Sequence, residues 1–169
     1  MNVNARQVHR AIGKPSYRTE VITIQQTAGD IVKALMKAVR ESEPESKLIV
    51  KNYFDKSKPV YENCEKIYDF IRKNIQYIKE PANKQTAKTI KRLFDPSQTY
   101  GDCKHFATVG VSLAKAMGYS AYFRVINQSG RFNHIYAVVK TPERVIIIDP
   151  CYPYFDMEAN YILRQDIKV

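Results

Sequence analysis

Long apolar runs are missing. No stretch of the 169 residues approaches the roughly 18 consecutive apolar side chains that span a bilayer. The first twenty residues are polar and mixed, with no apolar core of the kind a secretory leader carries, so neither export by a signal peptide nor membrane anchoring is expected. Glycine and proline are sparse, at 6 and 8, which excludes collagen-like and low-complexity polymers. Cysteine is sparser still. Cys64, Cys103 and Cys151 form an odd set with no Cys-x-x-Cys spacing, which argues against a disulfide framework and the common zinc signatures. Reduced thiols in a cytosol-like compartment are the expectation.

What remains is a globular composition, 44% hydrophobic and 26% charged, of a length suited to a single domain. Acidic residues are the minority: 27 Lys and Arg face 17 Asp and Glu. The excess gathers before residue 100, above all in Lys79, Lys84, Lys88, Lys91 and Arg92, with only Glu80 opposing them locally. A solvated helix face explains such a stretch best. Nucleic acid is not expected as a partner, because no aromatic side chains are interleaved with these charges to stack on bases.

The pattern changes near Tyr100. Upstream it is helical. Asp30 reads as an N-cap for a helix carrying Ile31, Leu35 and Val39, which Pro44 helps to end. A short helix is expected over 46–54. An amphipathic one runs from Tyr61 to Ile78 with Cys64, Ile67, Tyr68, Ile71, Ile75 and Ile78 on one face. A basic helical turn or two over 85–94 leads into a turn at 95–98. The segment 21–24 reads as a strand. Downstream, 103–117 is apolar or small on nearly every side, so it is a buried helix, stopped by Gly118. Runs at 119–126, 132–140 and 144–149 are β-rich and joined by short turns, which makes them antiparallel neighbours. The fold expected is α+β: a buried helix on an antiparallel sheet. It forms one domain over 1–169, with a helical extension over 1–58, a core over 59–152 and a tail over 153–169.

Three side chains in this core carry chemistry. Cys103 opens the buried helix, where free N–H groups and the positive dipole end favour a thiolate, the form a cysteine nucleophile needs. His134 lies in the middle strand and Asp149 ends the third. A hairpin symmetric about Pro142 would set His134 opposite residue 150, so Cys103, His134 and Asp149 can form a nucleophile–base–carboxylate relay. The N–H of Cys103 and the side chains of Tyr100 or Gln98 are candidate oxyanion donors. A zinc site from Cys103, His105, His134 and Cys151 is the competing arrangement, but Cys-x-His is not a usual ligand pair and a ligated Cys103 is lost as a nucleophile. Cys64 falls on the apolar helix face as a core residue, and His9 lies in the polar start. Tyr152-Pro153-Tyr154-Phe155 either lines a cleft or covers the core.

The run Tyr100-Gly101-Asp102-Cys103, the segments Gly118 to Arg124 and His134 to Val139, and Ile148-Asp149-Pro150 resemble the core of the transglutaminase-like superfamily. Upstream, Ile67 to Ile71 and Asn74 to Tyr77 are similar to the same family's helix-then-tyrosine lead-in. The resemblance covers about 60–152. It implies a papain-like fold with a Cys-His-Asp triad at Cys103, His134 and Asp149, acting through a thioester as an amide hydrolase or acyl transferase on a peptide or protein substrate. Within the superfamily the sequence is most similar to small phage- and prophage-encoded members with a Gly-Asp-Cys-Asp-Asp run, where Lys104 and His105 stand here in place of the two acids. That likeness implies a host-cytoplasmic or virion location and virion components as candidate partners. A structural virion protein on the same fold is the alternative. No acidic calcium loop is visible, so no metal or cofactor is expected.

Overall fold

The computed structural model describes residues 3–13, 20–22, 28–81 and 84–169. In chain order the elements are α1 (Ala5–Ile12), β1 (Glu20–Ile22), α2 (Ala28–Glu41), α3 (Glu43–Tyr53), α4 (Val60–Asn74), β2 (Gln76–Tyr77), β3 (Gln85–Ala87), α5 (Ile90–Leu93), β4 (Tyr100–Gly101), α6 (Cys103–Met117), β5 (Ala121–Asn127), β6 (Phe132–Lys140), β7 (Val145–Ile148) and β8 (Leu163–Lys168). The architecture is α+β, with α6 at its centre. One side of α6 packs on β6 of an antiparallel sheet ordered β7-β6-β5-β8, and α2, α3 and α4 cover the rest.

The apolar composition of α6 explains its position. Phe106, Val109, Val111, Leu113 and Ala114 are all buried, and the helix meets water only toward its ends, at Cys103, Lys115 and Ala116. Gly110 lets it approach the sheet, since a Cβ there would lie 2.8 Å from the Cβ of Ala137. Gly118 ends it in the left-handed conformation at φ 91°, open to glycine without steric cost.

Several expected boundaries move. Helix α2 begins at Ala28, so Asp30 lies in its first turn and is not the cap. Pro44 sits in the first turn of α3, where its missing N–H costs nothing, and so opens a helix as well as closing the previous one. The long amphipathic helix stops at Asn74, not Ile78. The chain turns extended and Gln76–Tyr77 pairs in parallel with Tyr100–Gly101. Ile78 is then 42% exposed instead of core. The basic segment 85–94 is a strand paired with β1 followed by one helical turn, capped where the Thr89 side chain accepts the Arg92 N–H. Its charges are mostly spent inside the molecule. Lys88 is buried, with Nζ 3.2 Å from the Tyr100 carbonyl and 3.9 Å from Glu80, and Lys91 meets Glu45 at 3.6 Å. Of the strand expected over 21–24, positions 21 and 22 fall in β1, and 23 and 24 lie outside the described residues.

The segment after residue 150 does two things at once. Phe155 packs against Tyr61 and Tyr68, with ring centres 5.0 and 5.7 Å away, while Ala159 helps cover the second face of the sheet. The chain then returns as β8 to pair with β5. Arg124 of β5 is buried and bonded to Asp166 (2.6 and 2.9 Å) and Glu158 (2.6 Å). No helix among the described residues is long and apolar enough to cross a membrane.

Candidate active site

Cys103 is the first residue of α6. The turn before it is pinned from two directions: β4 pairs with β2, and the Ile78 N–H donates to the Gly101 carbonyl at 2.8 Å. The sulfur is therefore held at the end of the most buried helix and still reaches the surface. His134 stands on β6, whose neighbour β7 ends at Ile148, one residue before Asp149. The hairpin register pairs Ala137 with Ile148, one residue off the symmetric pairing about Pro142. The diagonal is still short enough for a direct bond, and His134 Nε2 lies 2.6 Å from Asp149 Oδ2.

The Cys103 side chain lines the same two cavities as the His134 ring. Nε2 is taken by Asp149, which leaves Nδ1 as the other ring nitrogen. Burial alone would depress the imidazole. The bond to Asp149, its charge and the neighbouring Cys103 overcome it and push His134 up to about 9. Asp149 is itself buried, and its other oxygen accepts the Cys151 N–H at 3.2 Å. The Cys151 thiol is driven far above its ordinary value, first by burial and then by the charge of Asp149. Burial likewise lifts Cys64, to about 12. The rings of Tyr136 and Tyr152 flank the imidazole at 5.4 and 5.9 Å.

Tyr100 and Gln98 do not line the cleft at Cys103. The Tyr100 ring instead lies under Lys88 Nζ, 4.2 Å from the ring centre. Tyr77, like Tyr152, borders the same cavity as Cys103, His134 and Cys151, and Tyr77 does so from β2. Burial first, and then the negative charges of Asp102 and Asp149, lift its hydroxyl to about 12, so it stays a donor at neutral pH. The family resemblance pointed to Tyr77, but the spacing of Ile75 and Ile78 carried the expected helix across it.

Lys104 and His105 point away from the cleft into a buried ionic cluster. Lys104 Nζ lies 2.9 Å from Glu80 and in short contact with Asp102. His105 Nδ1 accepts the Asp102 N–H at 3.1 Å, while Nε2 meets the Thr86 hydroxyl at 3.2 Å. The Thr86 N–H donates to Glu80 at 2.7 Å. Burial opposes charge on Asp102, but His105 and Lys104 hold its carboxyl below the usual range. Burial pushes His105 down against the pull of Asp102, leaving a neutral ring. Of the alternative zinc set, Cys103, His134 and Cys151 border one cavity, while His105 is set apart in the ionic cluster. Ligand atoms of His134, Asp149 and Cys151 lie within 4.8 Å of one another, and so do those of Glu80, Asp102 and His105. In the second group the Lys104 ammonium already occupies the space between the carboxylates.

A buried helix led by a cysteine, laid on an antiparallel sheet that carries a bonded His–Asp pair, defines an α+β protein of papain-like design. The model of the transglutaminase-like superfamily matches residues 47–150, and the chain belongs to that superfamily. No curated protein matches it. Among solved structures it is similar to a proposed cysteine protease from Cytophaga hutchinsonii, at 23% identity and TM-score 0.51, covering 78% of this chain and 45% of that one. It is also similar to a proposed protease from Parabacteroides distasonis, at 18% identity and TM-score 0.55, covering 70% of this chain and 26% of that one. The chain thus spans less than half the length of either neighbour.

Proposed function

We propose that the chain is a cysteine-dependent amide hydrolase acting on peptide or protein substrates through Cys103, His134 and Asp149. The observation that carries this reading is an imidazole bonded to Asp149 at 2.6 Å that lines the same two cavities as the cysteine opening α6. An imidazole raised to about 9 is a stronger base toward a neighbouring thiol than a free one. The thiolate attacks the amide carbonyl, and the C–S bond forms as the carbonyl π pair moves to oxygen. The oxyanion is met by the Cys103 N–H and, in place of Tyr100 or Gln98, by the Tyr77 hydroxyl. His134 gives its proton to the departing amine as the C–N bond breaks, leaving a thioester. Water, deprotonated by His134, then releases the acid. An amine entering at that step would make the same chain an acyl transferase. The polar cavity of about 490 Å³ beside the sulfur leaves room for water, which favours hydrolysis.

The test is thiol reactivity followed by turnover. Iodoacetamide should alkylate Cys103 selectively well below pH 8, because Cys64 and Cys151 are both held protonated by burial. Cys103→Ala should cut hydrolysis of a labelled casein digest by about 10⁴-fold or more. If Cys103 reacts no faster than an ordinary thiol and its loss leaves hydrolysis intact, the fold serves a structural role and the enzyme reading is wrong.

A further inference from the structure

The cleft differs on its two sides. The cavity of about 490 Å³ is edged by Lys79, Glu80, Gln85, Gln128 and Asn133. A second cavity, of about 210 Å³, opens from the same Cys103–His134 pair in the other direction. Its apolar wall is Ile31 and Val32 of α2, Val125 of β5, and Phe132 and Ile135 of β6, and it shares Gln85, Asp102 and Asn133 with the first cavity along their common border. Five apolar side chains from three elements converge there. The charged residues beside them are already paired: Lys104 bonds Glu80 and Asp102 and is 3% exposed, so it contributes its stem rather than a free charge. Phe132 stands 41% exposed at the rim. An apolar hollow with an aromatic rim, continuous with a nucleophile, is the form of a side-chain subsite.

We infer that this hollow seats one aliphatic or phenylalanine-sized side chain next to the amide that is attacked, so the preferred substrates are peptides with an apolar residue on that side and polar residues on the other. The inference rests on the cysteine amidase reading. A volume of about 210 Å³ accommodates a single such side chain and no second one. The polar edge opposite has Gln128 and Asn133 bonded to each other at 3.1 and 3.2 Å, which fixes a wall of amide groups for substrate hydrogen bonds.

The experiment uses four chloroacetamides: the parent compound and its N-isopentyl, N-phenethyl and N-(2-carboxyethyl) derivatives. Each alkylates a thiolate by displacing chloride, and the rate at Cys103 is followed at pH 7 by intact mass and peptide mapping, normalised to the rate with glutathione. The isopentyl and phenethyl reagents should react at least about tenfold faster than the carboxyethyl one, the effect of burying about two methylene groups. Phe132→Gln, at an exposed position and without added charge, should pull that ratio toward one, and Ile31→Ser, as a second variant, should lower it. If the parent reagent labels Cys103 rapidly but the three derivatives agree within twofold, the subsite inference is wrong and the thiol reading stands. If the parent reagent itself reacts no faster than with glutathione, the amidase reading falls and takes the inference with it.

Discussion

Burial and hydrogen bonding pull His134 in opposite directions, and hydrogen bonding wins. Its raised value of about 9 against an ordinary 6.5 has a consequence for stability. The folded state holds the proton more tightly than the unfolded chain, so the ring adds stability that is complete below about pH 6.5 and is lost as pH rises through 9. Urea midpoints measured from pH 6 to 10 should fall across that window. Asp149→Asn removes the negative charge at 2.6 Å, so the His134 titration seen by NMR should move down by roughly 1 to 3 pH units. The fall in stability should move to lower pH with it. An unchanged titration would mean that Asp149 orients the ring without charging it. The same two residues show what could be read from sequence at this scale. Cys103, His134 and Asp149 were legible because each pairs a reactive side chain with a local pattern, a helix start, a strand and a strand end. The resemblance marked Tyr77 as part of the family's lead-in, but not its place at the cleft, which depends on a two-residue strand too short to have a periodicity.

Elements carry these residues, and two contacts set the position of α6. The first is the glycine approach to the sheet. Gly110→Ala would gain about 1 kcal/mol in helix propensity. It would also force a Cβ to 2.8 Å from the rigid Cβ of Ala137, and overpacking of this kind costs about 1–3 kcal/mol. The variant should be net less stable in urea by about 1 kcal/mol, and a gain would show that helix and sheet can slide apart freely. The second is the ionic cluster beneath the helix start. Lys104 is nearly fully buried between Glu80 and Asp102. Lys104→Met leaves those carboxylates short of a partner and should cost about 3 kcal/mol, the range for breaking a buried pair on one side. The double variant with Glu80→Gln should lose less than the sum of the two single changes. A loss below about 1 kcal/mol for Lys104→Met would show that water screens the cluster. The helix itself was plain in the sequence, since its residues are apolar on every side. The cluster was not, because Lys104 and His105 find Glu80 and Thr86 only after β2 and β4 have paired, and nothing local marks that pairing.

At the scale of the whole molecule, the last strand closes the sheet. The segment Leu163–Lys168 is polar and half-exposed, which is why it read as a tail; what makes it a strand is its register with β5 and the bonds to a buried arginine. Asp166 joins Arg124 at 2.6 Å and Lys140 at 2.7 Å. The Arg124 bond comes first in lowering Asp166 to about 2, against the effect of burial. A depressed carboxyl adds stability that is present above its unfolded value near 3.8 and lost as pH falls through 2. Asp166→Asn leaves Arg124 with Glu158 alone, so at pH 7 it should cost about 2 kcal/mol, below the full range for a buried charge left unpaired. The cost should shrink as pH drops and vanish near 2, where the native carboxyl is itself neutral. Urea denaturation of both proteins at pH 7 and along an acid series checks this. A gap that stays constant with pH would mean that Asp166 holds β8 by shape and packing, and that the charge of Arg124 is satisfied without it.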